Sequence, residues 1–265
     1  MHAATGSSRV WEYQIPAFTA AGYRVIAFDR RGWGRTVIEQ TVDPAGPQPS
    51  TAADDLKGLL DHLGVDRVHL VSTAASACVA LDFALSFPQR VRSLVIANTI
   101  GGLQDADFLE LGRRLRPPQF DALPPEFREL GPAYRAANPE GTRRWTELEK
   151  ISRQEGPRAP AQPMRNRLTF SLLESIRLPV LLLAGGADLY APPAVMALSR
   201  CESRIPNRWL SRMPGTLLIG SSLRFSIARS WTLLEGIRCR DTGHPRRAEA
   251  RRQGRSHAPR SYLPV

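Results

Sequence analysis

Short apolar runs separated by amphipathic stretches dominate the first two thirds of the chain. Residues 66–71, 91–97 and 179–184 form short, continuous apolar runs. That pattern is typical of parallel strands covered by helices on both faces. Residues 23–28 form a further predicted strand. The alternation of strands with helical stretches predicts an α/β fold with a mostly parallel sheet.

The helical pattern is clearest after Thr51. Thr51 is predicted to cap a helix whose first turn holds Asp54 and Asp55, where the helix dipole favours negative charge. Four leucines recur at three- and four-residue steps and form its buried stripe: Leu56, Leu59, Leu60 and Leu63.

Composition divides the chain into segments. Residues 100–178 are rich in Arg, Pro and Glu, with helical stretches broken by prolines. Residues 221–265 are basic with few apolar anchors, which predicts a disordered tail. We therefore expect a core in two parts, residues 1–99 and 179–220, with a helical insertion between them.

The most informative motif joins the predicted strand at 66–71 to a predicted helix at 79–85. The residues that follow the strand read Ser72-Thr73-Ala74-Ala75-Ser76. A strand that passes through a sharp turn into a helix is the setting of the nucleophile elbow, Gly-x-Ser-x-Gly. In that register the serine position falls on Ala74, and a methyl group cannot attack a carbonyl carbon.

Together these motifs resemble the α/β-hydrolase family. Residues 23–36 are similar to the family's strand and Asp-x-Arg-Gly-x-Gly-x-Ser loop, and residues 54–98 to its helix, strand, elbow, helix and strand. Residues 179–188 resemble the strand that delivers the triad acid. The resemblance covers about half of the chain. It implies an incomplete α/β-hydrolase-like sheet with a helical cap at residues 100–178. The alternative is that residues 100–178 are a solvated insertion without a gating role.

The resemblance assigns the triad acid to Asp188, which follows a buried strand. The alternative is an aspartate that caps a turn or a helix. The triad histidine should come next, but no histidine lies between Asp188 and Gly243. His244 lies too far beyond Asp188 and precedes Pro245 instead of a closing helix, so a tail histidine is the favoured interpretation.

The oxyanion hole of this family is built from backbone amides, so side-chain replacement harms it least. The amides implied here are those of Ala75 and of Ala4, in a loop that resembles the family's His-Gly segment. Three flanking hydroxyl residues are the less favoured substitute nucleophiles: Ser72, Thr73 and Ser76. Ala3, Ser72 and Ser76 stand where the family has glycine, which implies strain if a positive φ is needed there.

Three hypotheses for function remain open. The first is a hydrolase-like enzyme acting on a small organic ester or related carbonyl compound, with Asp188 as base in proton transfer or polarisation chemistry. The second is a non-catalytic small-molecule-binding pseudoenzyme, and the third is a damaged gene product. We predict no cofactor and no metal site, because the three cysteines, Cys78, Cys201 and Cys239, lack metal-ligand spacing.

The net charge of +11 raises the question of nucleic-acid binding. Residues 201–265 contribute +9 of it, with thirteen arginines and four acidic residues, and no recognition motif accompanies them. We therefore expect a small-molecule ligand and no specific nucleic-acid partner. We expect no leader, because no basic-then-apolar segment opens the chain. No apolar run is long enough to span a bilayer, and the cysteines are sparse. These features predict a cytoplasmic protein without a membrane partner. They leave the oligomeric state open.

The resemblance also yields expectations for both ends of the chain. The chain opens at what resembles the loop after the family's third strand, so residues 23–28 and 68–71 would face each other across unpaired backbone groups. We expect coding sequence upstream of Met1, and an isolated chain that is unstable or aggregates. Family-like sequence ends near Asn207, and a frameshift there would explain the missing histidine and closing helix together.

Overall fold

The computed structural model describes residues 1–36, 50–99, 102–116, 118–152, 154, 162–190, 192, 195 and 208–213, the last of these as backbone only. The chain divides into two units, Met1–Ala228 and Arg229–Val265, and all described residues lie in the first. The predicted tail at 221–265, with His244, therefore lies outside the described residues.

Four strands form one sheet in the order β1-β2-β3-β4, and every neighbouring pair is parallel. Their bounds are Val68–Thr73 for β1, Val91–Ala97 for β2, Val180–Gly185 for β3 and Arg208–Met213 for β4. The predicted α/β class with a parallel sheet is confirmed. Strand β4 was not among the predicted strands, because two arginines interrupt its apolar pattern.

Eight α-helices lie within the described residues. They are α1 Gln14–Ala20, α2 Ala52–His62, α3 Ser76–Ser86, α4 Ala106–Leu115, α5 Pro125–Glu129, α6 Pro132–Ala137, α7 Pro139–Ser152 and α8 Phe170–Leu173. Short 3-10 helices span Ser8–Trp11, Pro88–Arg90 and Phe120–Ala122. The predicted cap of α2 is present, since the Thr51 hydroxyl accepts the Asp54 amide at 3.1 Å.

The main hydrophobic core lies where α2 and α3 pack with the sheet. Phe83 of α3 and Ile96 of β2 are fully buried, and Leu60 of α2 and Leu182 of β3 belong to the same cluster. Because α3 is apolar on most of its surface, it packs deeply against β1 and β2. This packing holds the first turn of α3 at the carboxyl ends of the two strands.

The prediction of a strand at residues 23–28 is wrong. No described strand pairs with this segment, although Ile26 and Phe28 pack against the core. A strand needs a hydrogen-bonded neighbour, and the peptide groups of residues 25–28 have no hydrogen bond to any described residue. The apolar pattern therefore identified a buried segment, but burial alone does not supply a partner strand.

Met1 and His2 link that segment to the edge of the sheet. The Met1 nitrogen donates to the Val71 carbonyl of β1 at 2.6 Å. The Arg30 amide, just beyond the segment, donates to Nε2 of His2 at 3.0 Å. Residues 1 and 2 thus occupy the space next to the carboxyl end of β1.

The described residues between β2 and β3 are helical or irregular and contain no strand. Asp82 of α3 anchors the end of this segment: its carboxylate accepts the amides of Arg165 at 2.9 Å and Asn166 at 3.0 Å, and the Asn166 side chain at 2.7 Å. Asp82 is 1% exposed. The boundaries of a separate helical domain at 100–178 stay a prediction.

The unpaired peptide groups of residues 25–28 lead to a prediction for hydrogen exchange. Their amides should exchange about a hundredfold or more faster than those of Val91–Ala97, which lie in a central strand. Peptide-resolved deuterium uptake followed by mass spectrometry measures the ratio. Equal protection of the two segments would show that residues 25–28 have a hydrogen-bonded partner, and would contradict this description.

Asp82→Asn should destabilise the protein. The amide nitrogen of the new side chain would face donors that now bind a carboxylate, and buried donors without acceptors are costly. We expect the free energy of unfolding to fall by about 2–4 kcal/mol. Urea denaturation followed by circular dichroism tests this, with Asp66→Asn, at an exposed position, as the matched control. Equal stability of the two variants would refute the anchoring role.

Candidate active site

Ala74 lies at the apex of the turn that joins β1 to α3. Its φ is +50°, one of three positive values among described residues other than glycine. The Ala74 amide donates to the Ala97 carbonyl of β2 at 3.0 Å, and its carbonyl accepts the Ala77 amide at 3.0 Å. A positive φ costs an alanine about 1 kcal/mol. The turn is therefore sharp and fixed at both ends, and it presents a methyl group.

The amides of Ala4 and Ala75 are both available to a ligand. Neither donates a hydrogen bond to any described residue, and both residues are exposed. Ala75 is the N-cap residue of α3, where the helix dipole favours a negative charge. The loop of Ala4 is held by two contacts, Trp33 Nε1 to the Ala4 carbonyl at 2.8 Å and the Gly6 amide to the Ala3 carbonyl at 3.1 Å.

The three hydroxyl residues beside Ala74 are fully buried or nearly so. The Ser72 hydroxyl donates to the Val95 carbonyl at 3.3 Å. The Ser76 hydroxyl accepts the Thr73 amide at 3.1 Å and lies within 3.0 Å of the Met1 and Thr73 carbonyls. The Thr73 hydroxyl is buried without a partner among the described residues. Buried in this way, none of the three is presented to a ligand as a nucleophile.

The positions where the family has glycine carry no strain of the expected kind. Ala3, Ser72 and Ser76 are absent from the described residues with positive φ. Small side chains fit at all three buried positions without a left-handed backbone. The strain in this region lies at Ala74 itself.

Asp188 lies three residues beyond β3 and is 4% exposed. Its Oδ1 accepts the Tyr190 amide at 2.8 Å. This contact fits the alternative interpretation, in which Asp188 caps a turn. Asp188 and Ala74 both follow the carboxyl ends of strands, with β2 between β1 and β3. Two strand spacings amount to about 10 Å. Ligands of open α/β sheets bind at the carboxyl ends of the strands.

Glu129 of α5 is a buried acid that the sequence analysis missed. Burial raises its pKa to about 7, the hydrogen bond from the Tyr190 hydroxyl opposes this, and the negative charges of Asp188 and Glu149 raise the pKa further. Burial, followed by the charge of Glu129, also raises the pKa of Tyr190 to about 12. The helical stretch around Glu129 contains several acidic residues, so its sequence carried no signal that distinguished this one.

Aromatic contacts join the same helical segment to the Asp188 turn. The Phe120 and Tyr190 rings are perpendicular, with centroids 4.8 Å apart. The Arg116 guanidinium lies 5.3 Å from the Phe120 ring and 5.8 Å from the Tyr190 ring. Residues from between β2 and β3 thus pack directly on the turn that holds Asp188.

The three described histidines are His2, His62 and His69. His2 is fully buried: its Nδ1–H donates to the Ala3 carbonyl at 2.8 Å and its Nε2 accepts the Arg30 amide. Burial, then the charge of Arg30, lowers the pKa of His2 to about 3, so the ring is neutral and both nitrogens are engaged. His69 pairs with Ser93 at 2.7 Å, and His62 ends α2 on the surface.

In the described part of the chain, no group of three or more His, Cys, Asp or Glu side chains is arranged to hold a metal ion. Likewise, no helix in that part is long and apolar enough to cross a membrane.

A model of the alpha/beta hydrolase family matches residues 1–248. This match extends beyond Asn207, near which family-like sequence was expected to end. A 2-hydroxy-6-oxononadienedioate/2-hydroxy-6-oxononatrienedioate hydrolase of Paraburkholderia phymatum is 43% identical over 82 residues, which are 31% of this chain. The matched stretch is only 27% of that relative's own length.

Solved structures show a similar fold. A thermophilic esterase from Thermogutta terrifontis, with malate bound, has a TM-score of 0.67 and 23% identity, over 90% of this chain and 88% of that one. A hydrolase from Pseudomonas aeruginosa has a TM-score of 0.65 and 23% identity, over 88% of this chain and 86% of the other. Likeness at this level of identity concerns the fold alone.

The raised pKa of Glu129 predicts a pH dependence of stability. Folding raises this pKa from 4.5 to about 7, so the folded protein holds the proton more tightly than the unfolded chain. The stabilisation is complete below pH 4.5 and is lost as the pH rises through about 7. The loss is on the order of 3 kcal/mol.

Glu129→Gln should remove this loss, because glutamine is neutral at every pH. The free energy of unfolding is measured at pH 5 and pH 8 for wild type, for this variant and for Glu140→Gln, at an exposed position. Wild type and Glu140→Gln should lose more stability between the two pH values than Glu129→Gln. The same pH dependence in all three would contradict the assignment.

Proposed function

Because this chain belongs to the alpha/beta hydrolase family, we propose that it binds a small organic ester or related carbonyl compound without cleaving it through a serine acyl-enzyme. One observation carries this proposal. The elbow turn and the free amides of Ala4 and Ala75 are present, whereas the apex residue is Ala74. This geometry supports a site that has the main-chain groups of a hydrolase site without its nucleophile.

The physical argument for binding rests on the main chain. A carbonyl oxygen accepts hydrogen bonds from free amides, and the N-terminal end of α3 adds the favourable field of the helix dipole. These interactions need no side chain at the apex. Covalent catalysis does need one, because an acyl-enzyme forms only on a nucleophile that a base has activated.

The relatives support the ligand class. The Paraburkholderia phymatum relative is named as a hydrolase of an oxo-dienedioate, and the Thermogutta terrifontis structure is that of an esterase. Both names refer to carbonyl compounds. Since the matched stretch covers only 27% of the first relative, the proposal extends to the class of ligand and not to one compound.

The helical segment between β2 and β3 is part of the proposal. Its residues Arg116, Phe120 and Glu129 meet the turn of Asp188 and Tyr190, which supports a cap that covers the ligand and excludes water. We further propose a cytoplasmic protein whose partner is the small ligand and not nucleic acid. The sparse cysteines and the position of the excess charge beyond residue 200 support that assignment.

A second candidate function is proton transfer on the bound carbonyl compound. It is favoured by the pair of Glu129 and Asp188, in which burial and neighbouring charge bring the pKa of Glu129 to about 7. An acid with this pKa is about half protonated at neutral pH and can donate a proton, while a neighbouring carboxylate accepts one. This chemistry would require no nucleophile.

A serine-directed fluorophosphonate probe tests the first proposal. Intact-mass spectrometry should detect no adduct. Ala74→Ser alone should not restore ester turnover, because none of the described histidines, His2, His62 and His69, is placed to activate the serine. Loss of the nucleophile typically removes about a million-fold in rate. Ala75→Ser, one residue away, is the matched control. A stoichiometric adduct on Ser72, Thr73 or Ser76, or rapid turnover by Ala74→Ser, would overturn the proposal.

The second candidate has its own measurement. Exchange of the protons next to a ketone's carbonyl with D₂O, followed by NMR, should be accelerated by the wild type and lost in Asp188→Asn and Glu129→Gln. Glu140→Gln should exchange at the wild-type rate. No acceleration by the wild type would exclude proton transfer on the ketone tested and leave binding as the function.

A further inference from the structure

Arg30 is a partly buried cation that none of the steps above uses. Its Nε and Nη2 atoms are shielded from solvent and have no hydrogen-bond partner among the described residues. Its backbone amide is fixed by His2 at 3.0 Å. Three N–H bonds of a guanidinium therefore lack an acceptor, which is rare for buried polar groups in native proteins.

The charged and titratable groups around Arg30 do not neutralise it. Burial, then Arg30 itself, lowers the pKa of the Met1 amino group to about 5 and that of His2 to about 3. Burial raises the pKa of the Cys78 thiol, against the smaller effect of Arg30. All three groups are therefore uncharged at neutral pH. The carboxylate of the adjacent Asp29 accepts the Ser8 amide at 2.6 Å and the Arg35 amide at 3.0 Å instead.

Arg30 is linked through Trp33 and Cys78 to the two segments that carry the free amides. Its guanidinium carbon is 4.3 Å from the centroid of Trp33, whose Nε1–H holds the Ala4 carbonyl at 2.8 Å. It also interacts electrostatically with Cys78 in the first turn of α3, whose sulfur lies 2.8 Å from the Ala75 carbonyl. The cation is thus connected through one intervening residue to each segment of the proposed carbonyl-binding site.

The free atoms also indicate what kind of anion fits. Nε and Nη2 lie on one edge of the guanidinium, and that edge presents two parallel N–H bonds that match the two oxygens of a carboxylate. An arginine that served only to pack against Trp33 would leave these donors buried without compensation. An anionic ligand would satisfy the donors and the charge together.

We propose that Arg30 binds the carboxylate of the ligand, so that the natural ligand is a carbonyl compound that also carries a carboxylate group. The carbonyl part of this statement rests on the proposed function. The carboxylate part rests on Arg30 alone and can be tested separately.

Calorimetric titration with benzoate and benzamide tests the carboxylate part, because the two probes have nearly the same shape and differ in charge. Wild type should bind benzoate about tenfold or more tightly than benzamide. Arg30→Met should lose this preference. Arg35→Met is the matched control, since its side chain is 84% exposed and comes from the same loop; it should keep the preference.

Thermal melting without ligand separates this role from a structural one. Removal of a buried, unpaired charge should leave the Tm of Arg30→Met equal to that of wild type or higher. Arg30→Lys should bind benzoate more weakly than wild type, because an ammonium cannot donate in parallel to both oxygens. A strongly lowered Tm for Arg30→Met, or wild type that binds benzamide as tightly as benzoate, would overturn the inference.

Two further probes keep the proposals apart. Binding of benzoate without binding of the neutral ester methyl benzoate would support the Arg30 site and count against the proposed function. Binding of methyl benzoate, with benzoate bound no more tightly than benzamide, would support the proposed function and count against the Arg30 site. Inorganic phosphate that binds as tightly as benzoate, and equally depends on Arg30, would show a general anion site and refute the carboxylate assignment.

Discussion

The turn at Ala74 is the constraint on which the rest of the site depends. The hydrogen bond from its amide to the Ala97 carbonyl, at 3.0 Å, ties the turn to β2. The positive φ then reverses the chain from β1 into α3 within two residues. This one backbone geometry leaves the Ala75 amide without an acceptor among the described residues and places Cys78 in the first turn of α3. Replacement of the apex side chain changes none of these positions, because main-chain bonds hold them.

Local patterns were sufficient to predict much of this arrangement. The three continuous apolar runs became β1, β2 and β3, and the Thr51 cap starts α2, because such features are decided by residues close in sequence. The apex position of Ala74 follows in the same way from the boundaries of the strand and the helix. By contrast, residues 23–28 have the composition of a strand but pair with none of the described strands, and the pairing of strands is not a local property.

The missed residues share a different cause. Glu129 and Arg30 both lie in stretches with several charged residues, where a solvated side chain is the ordinary expectation. Their special character depends on segments distant in sequence. Burial, with the charges of Asp188 and Glu149, raises the pKa of Glu129, and Arg30 interacts with His2 and Cys78. Strand β4 was missed for a related reason. Its two arginines interrupt the apolar pattern of the segment, and its strand structure depends on pairing with β3. Sequence patterns report the average environment of a residue type, whereas these positions depart from it.

These observations suggest why ligand binding would outlast hydrolysis in this scaffold. Hydrolysis by a triad needs three side chains in register, so one substitution at the apex abolishes it. Binding of a carbonyl group needs only main-chain amides and a helix N-terminus, which the β1–α3 turn supplies whatever residue stands there. The strained φ at Ala74 is consistent with this view, because the turn costs stability and a merely structural connection would not require it. The buried charge of Arg30 adds to that cost in the free protein, and an anionic ligand would offset it on binding.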